Sequence, residues 1–338
     1  MDYTAARLAY TERLKVLAAE VITSNDRNVS LKRDLHRDRA LMNLTLHHFD
    51  EALSDALAAL WPQHDPHPPQ NAKAYNRAAR VAYDLRRFAE AEQYFKKQAE
   101  LLSQGDKALT DCQQQIAKTK ARLHEENRGT YNITAMMSNA NAKQPYVDAA
   151  DFFGKVEVRD AGPGRGRGLF ATRNIGSGDI VMVEKALCMQ WAYEKQSFPV
   201  LKYYTRFPDR DPSFGTLGLW KEVSMFIRNN PTQAAKVLDL HGDYSGLGKD
   251  LMLVDDMHVV DSYQVHDIVA SNAFGVHPLR GMREDVHSHG LFVKASYMNH
   301  SCLPNARRLH AGDMMIITAN KNISQDDEIT ISYDGEQD

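Results

Sequence analysis

A short segment occurs twice in the first hundred residues, and its spacing limits how this part of the chain folds. LHHFDEAL at 46–53 matches LRRFAEAE at 85–92, an offset of 39 residues. The same offset pairs Ala40 with Ala79. Repeats of this length that hold small residues at fixed points are typical of stacked helix pairs. Residues 1–128 are therefore predicted to be all-helical, in keeping with the single glycine they contain, Gly105.

The repeat resembles the tetratricopeptide repeat (TPR), which is about 34 residues long, with a short insertion. The proline-rich segment WPQHDPHPPQ at 61–70 would hold that insertion, because no helix crosses such a segment. An unrelated helical bundle is the alternative. The predicted helices cover residues 3–23, 33–47, 50–60, 71–86, 88–102 and 106–127.

The TPR resemblance implies a groove that binds a protein partner. Lys73 and Arg77 resemble part of the clamp with which some TPR grooves hold a C-terminal carboxylate. Asp38, at the position where the clamp carries asparagine, would repel that carboxylate. A solvated helix face is therefore the preferred interpretation of Lys73 and Arg77.

Composition excludes several classes of protein. The length of 338 residues indicates two domains. The net charge of −3 argues against a nucleic-acid-coating protein. No apolar run reaches the ~18 residues of a membrane span, and the N-terminus lacks a secretory signal, so neither a membrane nor nucleic acid is expected as a partner. Cys112, Cys188 and Cys302 are far apart and form no CxxC pair. A reducing compartment, cytoplasm or nucleus, is expected, and no metal site.

After residue 128 the sequence changes character. Residues 129–152 read as a linker with one short helix, since Pro145 interrupts any longer one. From 153 onward, short strands with glycine-rich turns dominate, and residues 188–277 read mainly as helix between them. The strands are predicted at 156–160, after the turn at 161–172, and at 180–187, 313–323 and 328–334.

Three motifs in this second half occur in a fixed order. The first is Gly166-Arg167-Gly168, the second is Asn299-His300-Ser301-Cys302 followed by Leu-Pro-Asn, and the third is the strand from Glu328 to Tyr333. Together they resemble the SET domain of protein lysine methyltransferases, over residues 153–334. SNAFGV at 271–276 resembles the segment that closes the helical insertion of the SMYD-type group. With its helical first half, the chain resembles the fungal TPR- and SET-domain proteins, without the zinc-binding MYND finger.

The resemblance implies an α+β fold: an all-α TPR-like domain followed by a β-rich SET domain, with a pseudoknot and a large helical insertion. It implies S-adenosyl-L-methionine as cofactor and a protein or peptide lysine, histone or non-histone, as substrate. The backbone at Gly166, Arg167 and Gly168 would hold the methionine part of the cofactor. Asn272 would contact its amino-acid end, Asn299 and His300 would hold the adenine and methionine moieties, and Tyr333 would be the catalytic tyrosine.

The chemistry of methyl transfer suits this set of residues. A lysine amine attacks only when neutral, and its pKa of about 10.4 makes neutralisation at pH 7 cost about 4–5 kcal/mol. An apolar channel beside a sulfonium cation lowers that pKa by desolvation and charge repulsion. The remaining task is alignment of the amine, methyl and sulfur. The acidic second half, with a net charge of 20 − 25 = −5 over 151–338, favours a basic substrate.

Relatives carry a further C-terminal segment that completes the lysine channel, whereas this sequence ends at Asp338. A shortened chain, another element over the site, or weak activity would each account for this. Two functions are therefore expected: a methyltransferase whose TPR region recruits substrate or partner, or a non-catalytic TPR–SET adaptor.

Overall fold

The protein is described by a computed structural model that covers residues 2–19, 26–62, 67–191, 214–255, 257–276, 279 and 288–333. The chain divides into two compact units, Met1–Leu123 and His124–Asp338. Within the described residues, no helix is both long and apolar enough to cross a membrane.

The first unit is built of helices that follow the predicted order. Its two central helices begin at Phe49 and Phe88, as the repeat requires, while the helix predicted from 33 begins earlier, at Asp26. The helix predicted from 71 begins at Pro68, because proline is tolerated in the first turn of a helix. The helices are α1 (Tyr3–Ala19), α2 (Asp26–Thr45), α3 (Phe49–Ala58), α4 (Pro68–Asp84), α5 (Phe88–Glu100) and α6 (Lys107–Arg128).

The offset of 39 seen in the sequence is also present in the backbone. His47 and Arg86, which close the α2–α3 and α4–α5 turns, both have positive φ angles, 60° and 63°. The next residue donates its N–H to an equivalent carbonyl in each turn: His48 to Asn43 and Arg87 to Ala82. Left-handed residues with such bonds are the usual way to end a helix. The two helix pairs are therefore structural copies, while their TPR nature stays a prediction.

Alanine lets the helices of the first unit pack closely. Ala40 and Ala79, the pair that the repeat identified, are each completely buried. Ala40 packs with Ala56 and Ala78, and Ala79 packs in a cluster with Phe95. Small side chains at these crossings allow short interhelical distances. The repeated residues are thus the ones that set helix packing.

The second unit contains short helices and twelve strands among the described residues. The helices are α7 (Ile133–Asn139), α8 (Phe214–Asn229), α9 (Ala234–Leu238) and α10 (Ser262–Asn272). The strands are β1 (Val156–Asp160), β2 (Arg167–Ala171), β3 (Ile180–Lys185), β4 (Cys188–Gln190), β5 (Met252–Val254), β6 (Met257–Val259), β7 (Ala273–Val276), β8 (Ser288–Leu291), β9 (Asn299–His300), β10 (Ala306–Ala311), β11 (Met314–Ala319) and β12 (Glu328–Ile331).

Three small sheets surround one apolar core, and a fourth is a two-stranded hairpin. The sheet orders are β1-β2-β12-β9, β10-β11-β3, β4-β8-β7 and β5-β6. Leu169, Phe292 and Ile329 are fully buried in the main core cluster. The predicted strand at 156–160 is confirmed, and the strands predicted near 180, 313 and 328 are present with shorter bounds.

The segment predicted as a linker packs on the second unit. Its short helix, predicted within 129–152, is α7. Ala149 and Phe152 belong to a buried cluster with Val183 on β3 and Met314 on β11. The N–H of Phe152 donates to the carbonyl of Val183 at 2.8 Å. The segment therefore contributes to the core of this unit.

The prediction that 188–277 is mainly helical is only partly right. Helices α8, α9 and α10 are present, but the described part of the insertion also contains β4, the β5–β6 hairpin and β7. Asp255, with a positive φ of 49°, lies in the hairpin turn. Strand β7 follows α10 directly and pairs with β8, so long-range pairing decides its conformation. Residues 192–213 lie outside the described part of the chain.

Candidate functional site

One residue from each of the three motifs lies at a common point: Gly168, Asn299 and Glu328. The side-chain amide of Asn299 donates to a carboxylate oxygen of Glu328 at 2.7 Å. A Cβ atom built on Gly168 would lie 2.7 Å from that same oxygen and 3.2 Å from the Asn299 amide nitrogen. Gly168 leaves this space free for the pair, because a Cβ there would press on the Glu328 carboxylate.

Strand pairing brings these three residues together. Strand β2, which carries Gly168, pairs antiparallel with β12, where Phe170 faces Glu328. Strand β12 pairs on its other side with β9, in parallel, and places Thr330 opposite Asn299. The NHSC segment and the C-terminal strand are therefore neighbours, as expected, while the threading of a pseudoknot stays a prediction.

The glycine-rich turn before β2 lies at the edge of this cluster. Gly166 has a φ of +65° and is exposed, and its carbonyl accepts the N–H of Ala161 at 2.8 Å. Arg165 in the same turn donates to the second carboxylate oxygen of Glu328 at 2.6 Å. The backbone of Gly166 is thus exposed to solvent, while Arg165 forms an ion pair with Glu328.

The side chain of Arg167 reaches a carboxylate of the helical insertion. It donates to both the carboxylate and the backbone carbonyl of Asp239, and its guanidinium lies 4.8 Å from the ring centre of Tyr297. The hydroxyl of Tyr297 donates to Asp239 at 2.8 Å, and Lys249 also binds this carboxylate. The four residues form one cluster, the Asp239 cluster: Arg167, Asp239, Lys249 and Tyr297.

Electrostatics in the Asp239 cluster hold Asp239 ionised and Tyr297 protonated. Burial alone would raise the pKa of Asp239, but bonds from Lys249, Arg167 and Tyr297 outweigh it and lower the pKa to about 2. Burial and the bond to Asp239 raise the pKa of Tyr297 to about 12. Both groups keep one charge state across the physiological range.

His300 and Tyr333 are in direct contact. The N–H of Tyr333 donates to Nδ1 of His300 at 3.1 Å, and the two ring centres are 5.3 Å apart. The Sγ of Cys302 lies 3.5 Å from the other ring nitrogen of His300. The His300 ring is therefore oriented by contacts within the protein.

The hydroxyl of Tyr333 is held by the chain segment before Asn299. It donates to the backbone carbonyl of Met298 at 2.8 Å. Burial raises the pKa of Tyr333, so the hydroxyl stays protonated at neutral pH. Because its hydrogen is used by Met298, the lone pairs of the oxygen are available to accept a contact from outside.

Asn272 is the last residue of α10, where it is buried. Its amide nitrogen donates to the carbonyls of His241 and Ile268, both at 2.7 Å. An amide has two N–H donors, so both are used inside the protein. Its backbone carbonyl accepts from the hydroxyl of Ser296 at 3.3 Å. Any contact with a ligand would use the side-chain oxygen.

Five of the seven residues predicted from the sequence make contacts with one another: Arg167 and Gly168 lie against Asn299, and His300 contacts Tyr333. Gly166 lies in the turn before Arg167, and Asn272 bonds to His241, Ile268 and Ser296 instead of to the other six. The motifs offered no sign of Asp239 or Lys249, because neither residue belongs to a motif. Among the described residues, no group of three or more His, Cys, Asp or Glu side chains is placed to hold a metal ion.

Comparison with known proteins agrees with the motifs. Residues 166–334 match the SET domain, and they are 169 of the 338 residues. A methyltransferase of Gibberella zeae is 27% identical over 325 residues, covering 90% of this chain and 43% of that protein. This match extends well beyond the SET domain, and the chain spans less than half the length of that relative.

Two more distant similarities involve shorter or weaker matches. A potential protein lysine methyltransferase of Saccharomyces cerevisiae, SET6, is 44% identical over 45 residues, which are 13% of this chain and 12% of that protein. The solved SET domain of LSMT bound to lysine and AdoHcy is 14% identical to this chain. The match covers 54% of this chain and 50% of that one, and its TM-score of 0.26 is too low to support a comparison of the two structures. The family match covers half of the chain, including all three motifs, and the chain therefore belongs to the SET-domain family.

Proposed function

We propose that this chain is a SET-type protein lysine N-methyltransferase that uses S-adenosyl-L-methionine. The observation that carries the proposal is the contact set of Gly168, Asn299 and Glu328, in which three separate motifs meet at one point. The relatives named as methyltransferases support the same activity. The family assignment itself does not depend on this proposal.

The residues present fit the cofactor. The glycine-rich turn leaves the backbone of Gly166 exposed, two residues before Gly168 and the Asn299–Glu328 pair that it contacts. An exposed backbone edge beside an amide suits the polar rim of an adenosine ligand. Gly166, Arg167, Gly168, Asn299 and the backbone of His300 would hold it, with Asn272 near its amino-acid end. When bound, the sulfonium supplies the methyl group.

The protein would orient an incoming lysine amine. Tyr333 is the proposed catalytic residue, through its hydroxyl oxygen. Since that hydroxyl donates to the Met298 carbonyl, the oxygen is fixed in position and accepts contacts through its lone pairs. Such an oxygen polarises a nearby methyl group by weak C–H···O contacts and accepts an N–H of the amine. Its raised pKa keeps the hydroxyl protonated at neutral pH.

The helical first unit would recruit the substrate protein or a partner. Its two copied helix pairs support a TPR-like, SMYD-related architecture without a MYND finger, and the alanine crossings support close stacking. The substrate is proposed to be a lysine of a histone or another protein, encountered in the cytoplasm or nucleus. A non-catalytic adaptor remains the outcome if binding is found without methyl transfer.

Calorimetry with S-adenosyl-L-homocysteine tests the proposal most directly. The wild-type chain is expected to bind in the micromolar range, and Asn299→Ala to lose at least tenfold in affinity because it removes the Glu328 partner. Asn139→Ala, an exposed position at the end of α7, is the matched control and should bind like wild type. A folded wild-type chain that does not bind would refute the cofactor assignment.

A further inference from the structure

Strand β3 carries a buried carboxyl group that has no part in the chemistry described above. Glu184 is 5% exposed. One carboxylate oxygen accepts the N–H of Lys294 at 2.7 Å, and the other accepts the N–H of Ala295 at 2.8 Å. These N–H groups begin a single-turn 3₁₀ helix, Ala295–Tyr297, and would otherwise be unpaired.

The turn held by Glu184 leads directly into the site. Tyr297 ends the 3₁₀ helix and binds Asp239. Met298 follows and supplies the carbonyl that holds the Tyr333 hydroxyl. Asn299 comes next and binds Glu328. Tyr297, Met298 and Asn299 thus each make a contact of the site. They come directly after segment 294–296, whose first two N–H groups donate to Glu184.

The position of Glu184 in a buried strand makes it a rigid support. Its backbone pairs with Met315 on β11, the middle strand of a three-stranded sheet in which β3 is an edge strand. A carboxylate fixed by a sheet places two acceptors at a constant distance from the turn, which a loop residue would not do. No other described side chain accepts from the N–H of Lys294 or Ala295.

We propose that Glu184 is a positioning residue, whose carboxylate holds the turn at 294–297 so that Met298 and Asn299 present their contacts to the cofactor and Tyr333. The inference rests on the proposed function only for the identity of the ligand. It assigns no chemical step to Glu184. The ionised form accepts both N–H groups, whereas a protonated carboxyl places a hydroxyl against one of them and accepts it poorly.

The charges around Glu184 make its protonation state responsive near neutral pH. Burial raises its pKa to about 8, and the negative charge of Asp151 acts in the same direction. The two backbone bonds and the ammonium group of Lys294 oppose this rise. The geometry of the two bonds would define the role of Glu184 even if the pKa were ordinary.

Glu184→Gln separates this role from simple burial. The amide has the shape of the carboxyl, keeps one acceptor oxygen and does not ionise, so it mimics the protonated form at every pH. We expect wild type and variant to bind S-adenosyl-L-homocysteine with similar affinity at pH 6.5, and wild type to bind about tenfold more tightly at pH 9. Glu157→Gln, on β1 and bound to Arg159, is the matched control.

The ratio of the two dissociation constants at each pH is the informative quantity, because the α-amino group of the ligand titrates in the same range. Equal dissociation constants of wild type and variant at both pH 6.5 and pH 9 would overturn the proposal, whereas a constant ratio of about ten would show that Glu184 holds the turn with an ordinary pKa. If Glu184→Gln does not fold, Glu184→Asp is used. Its shorter side chain reaches one N–H at most, so it should weaken binding at pH 9, and unchanged affinity would overturn the proposal.

Hydrogen exchange gives a readout that needs no ligand. At pH 9, peptides covering 294–300 should exchange faster in Glu184→Gln than in wild type, while peptides covering β11 should not change. Equal exchange at 294–300 would overturn the proposal. If exchange changes as expected but the wild-type chain binds no S-adenosyl-L-homocysteine, the positioning role stands and the proposed cofactor fails.

Discussion

The amide of Asn299 and the carboxylate of Glu328 lie 2.7 Å apart, and the missing side chain of Gly168 gives them the space to meet. Asn299 begins the two-residue strand β9, and Glu328 begins β12. A contact between residues 29 positions apart joins the second and third motifs, and β2 adds the first. Four predictions test this arrangement and its surroundings, and a fifth tests the first unit.

Gly168→Ala should disrupt the site without unfolding the second unit. The added Cβ would lie 2.7 Å from the Glu328 oxygen and 3.1 Å from the Phe170 ring, so the carboxylate must move away from Asn299. We expect at least a tenfold loss in affinity for S-adenosyl-L-homocysteine, measured by calorimetry, and a loss of about 1–3 kcal/mol in the free energy of unfolding. Gly275→Ala is the control, since a Cβ there meets nothing within 4 Å. Equal affinities of the two variants would contradict this packing.

Tyr333→Phe should abolish most methyl transfer and leave the fold intact. The substitution removes the hydroxyl that donates to Met298, and Tyr333 is 57% exposed, so the expected stability cost is about 1 kcal/mol or less. We expect the rate of methyl transfer from radiolabelled S-adenosyl-L-methionine to fall by about a hundredfold, as for the loss of a fixed catalytic dipole. Tyr263→Phe, 79% exposed on α10, is the control. Full activity in Tyr333→Phe would exclude the proposed catalytic role.

Asp239 should make the second unit sensitive to acid. Its pKa in the folded protein, about 2, is below the ordinary 3.8. The charged carboxylate therefore stabilises the fold above pH 4, and this contribution is lost as the pH falls towards 2. In urea titrations between pH 5 and pH 2.5, Asp239→Asn should lose less stability than wild type. Asp243→Asn, whose carboxylate is 94% exposed, should follow wild type, and parallel curves for all three would refute the prediction.

Glu184 should act in the opposite sense on stability. Its pKa is raised in the folded state to about 8 from 4.5, so the folded protein retains a proton that the unfolded chain has released. The contribution of protonated Glu184 to the free energy of unfolding is complete below pH 4.5 and is lost as the pH rises through 8. The melting temperature of Glu184→Gln should therefore rise relative to wild type between pH 5 and pH 8.5. A constant difference across this range would show that Glu184 has an ordinary pKa.

Asp55 should be essential to the stability of the first unit. It is 2% exposed and accepts two bonds from Arg39, at 2.7 and 2.8 Å, and one each from His36 and Asn43. Asp55→Asn leaves the guanidinium of Arg39 without its counter-charge, and we expect a loss of about 3 kcal/mol in the free energy of unfolding. Urea denaturation measures it, with the exposed Asp111→Asn on α6 as control. A loss below that of the control would show that water replaces the carboxylate.

The sequence by itself predicted the helices of the first unit, several strands of the second and a set of candidate site residues. The repeated segments predicted two helix pairs because their small and aromatic residues recur at one offset, and the backbone repeats at that offset in His47 and Arg86. The motifs identified Gly168, Asn299, His300 and Tyr333 because each demands a particular side chain, or none, at a particular place.

Only the tertiary structure decided how these pieces meet. Strands β4 and β7 have their conformation from pairing with β8, and no local pattern reveals such a partner. Asp239 binds Arg167 from 72 positions away, and Glu184 binds Lys294 from 110 positions away. Local propensity is a property of neighbouring residues, whereas burial and ion pairing depend on the whole fold. The contacts that hold the site residues in place therefore could not be predicted from the sequence.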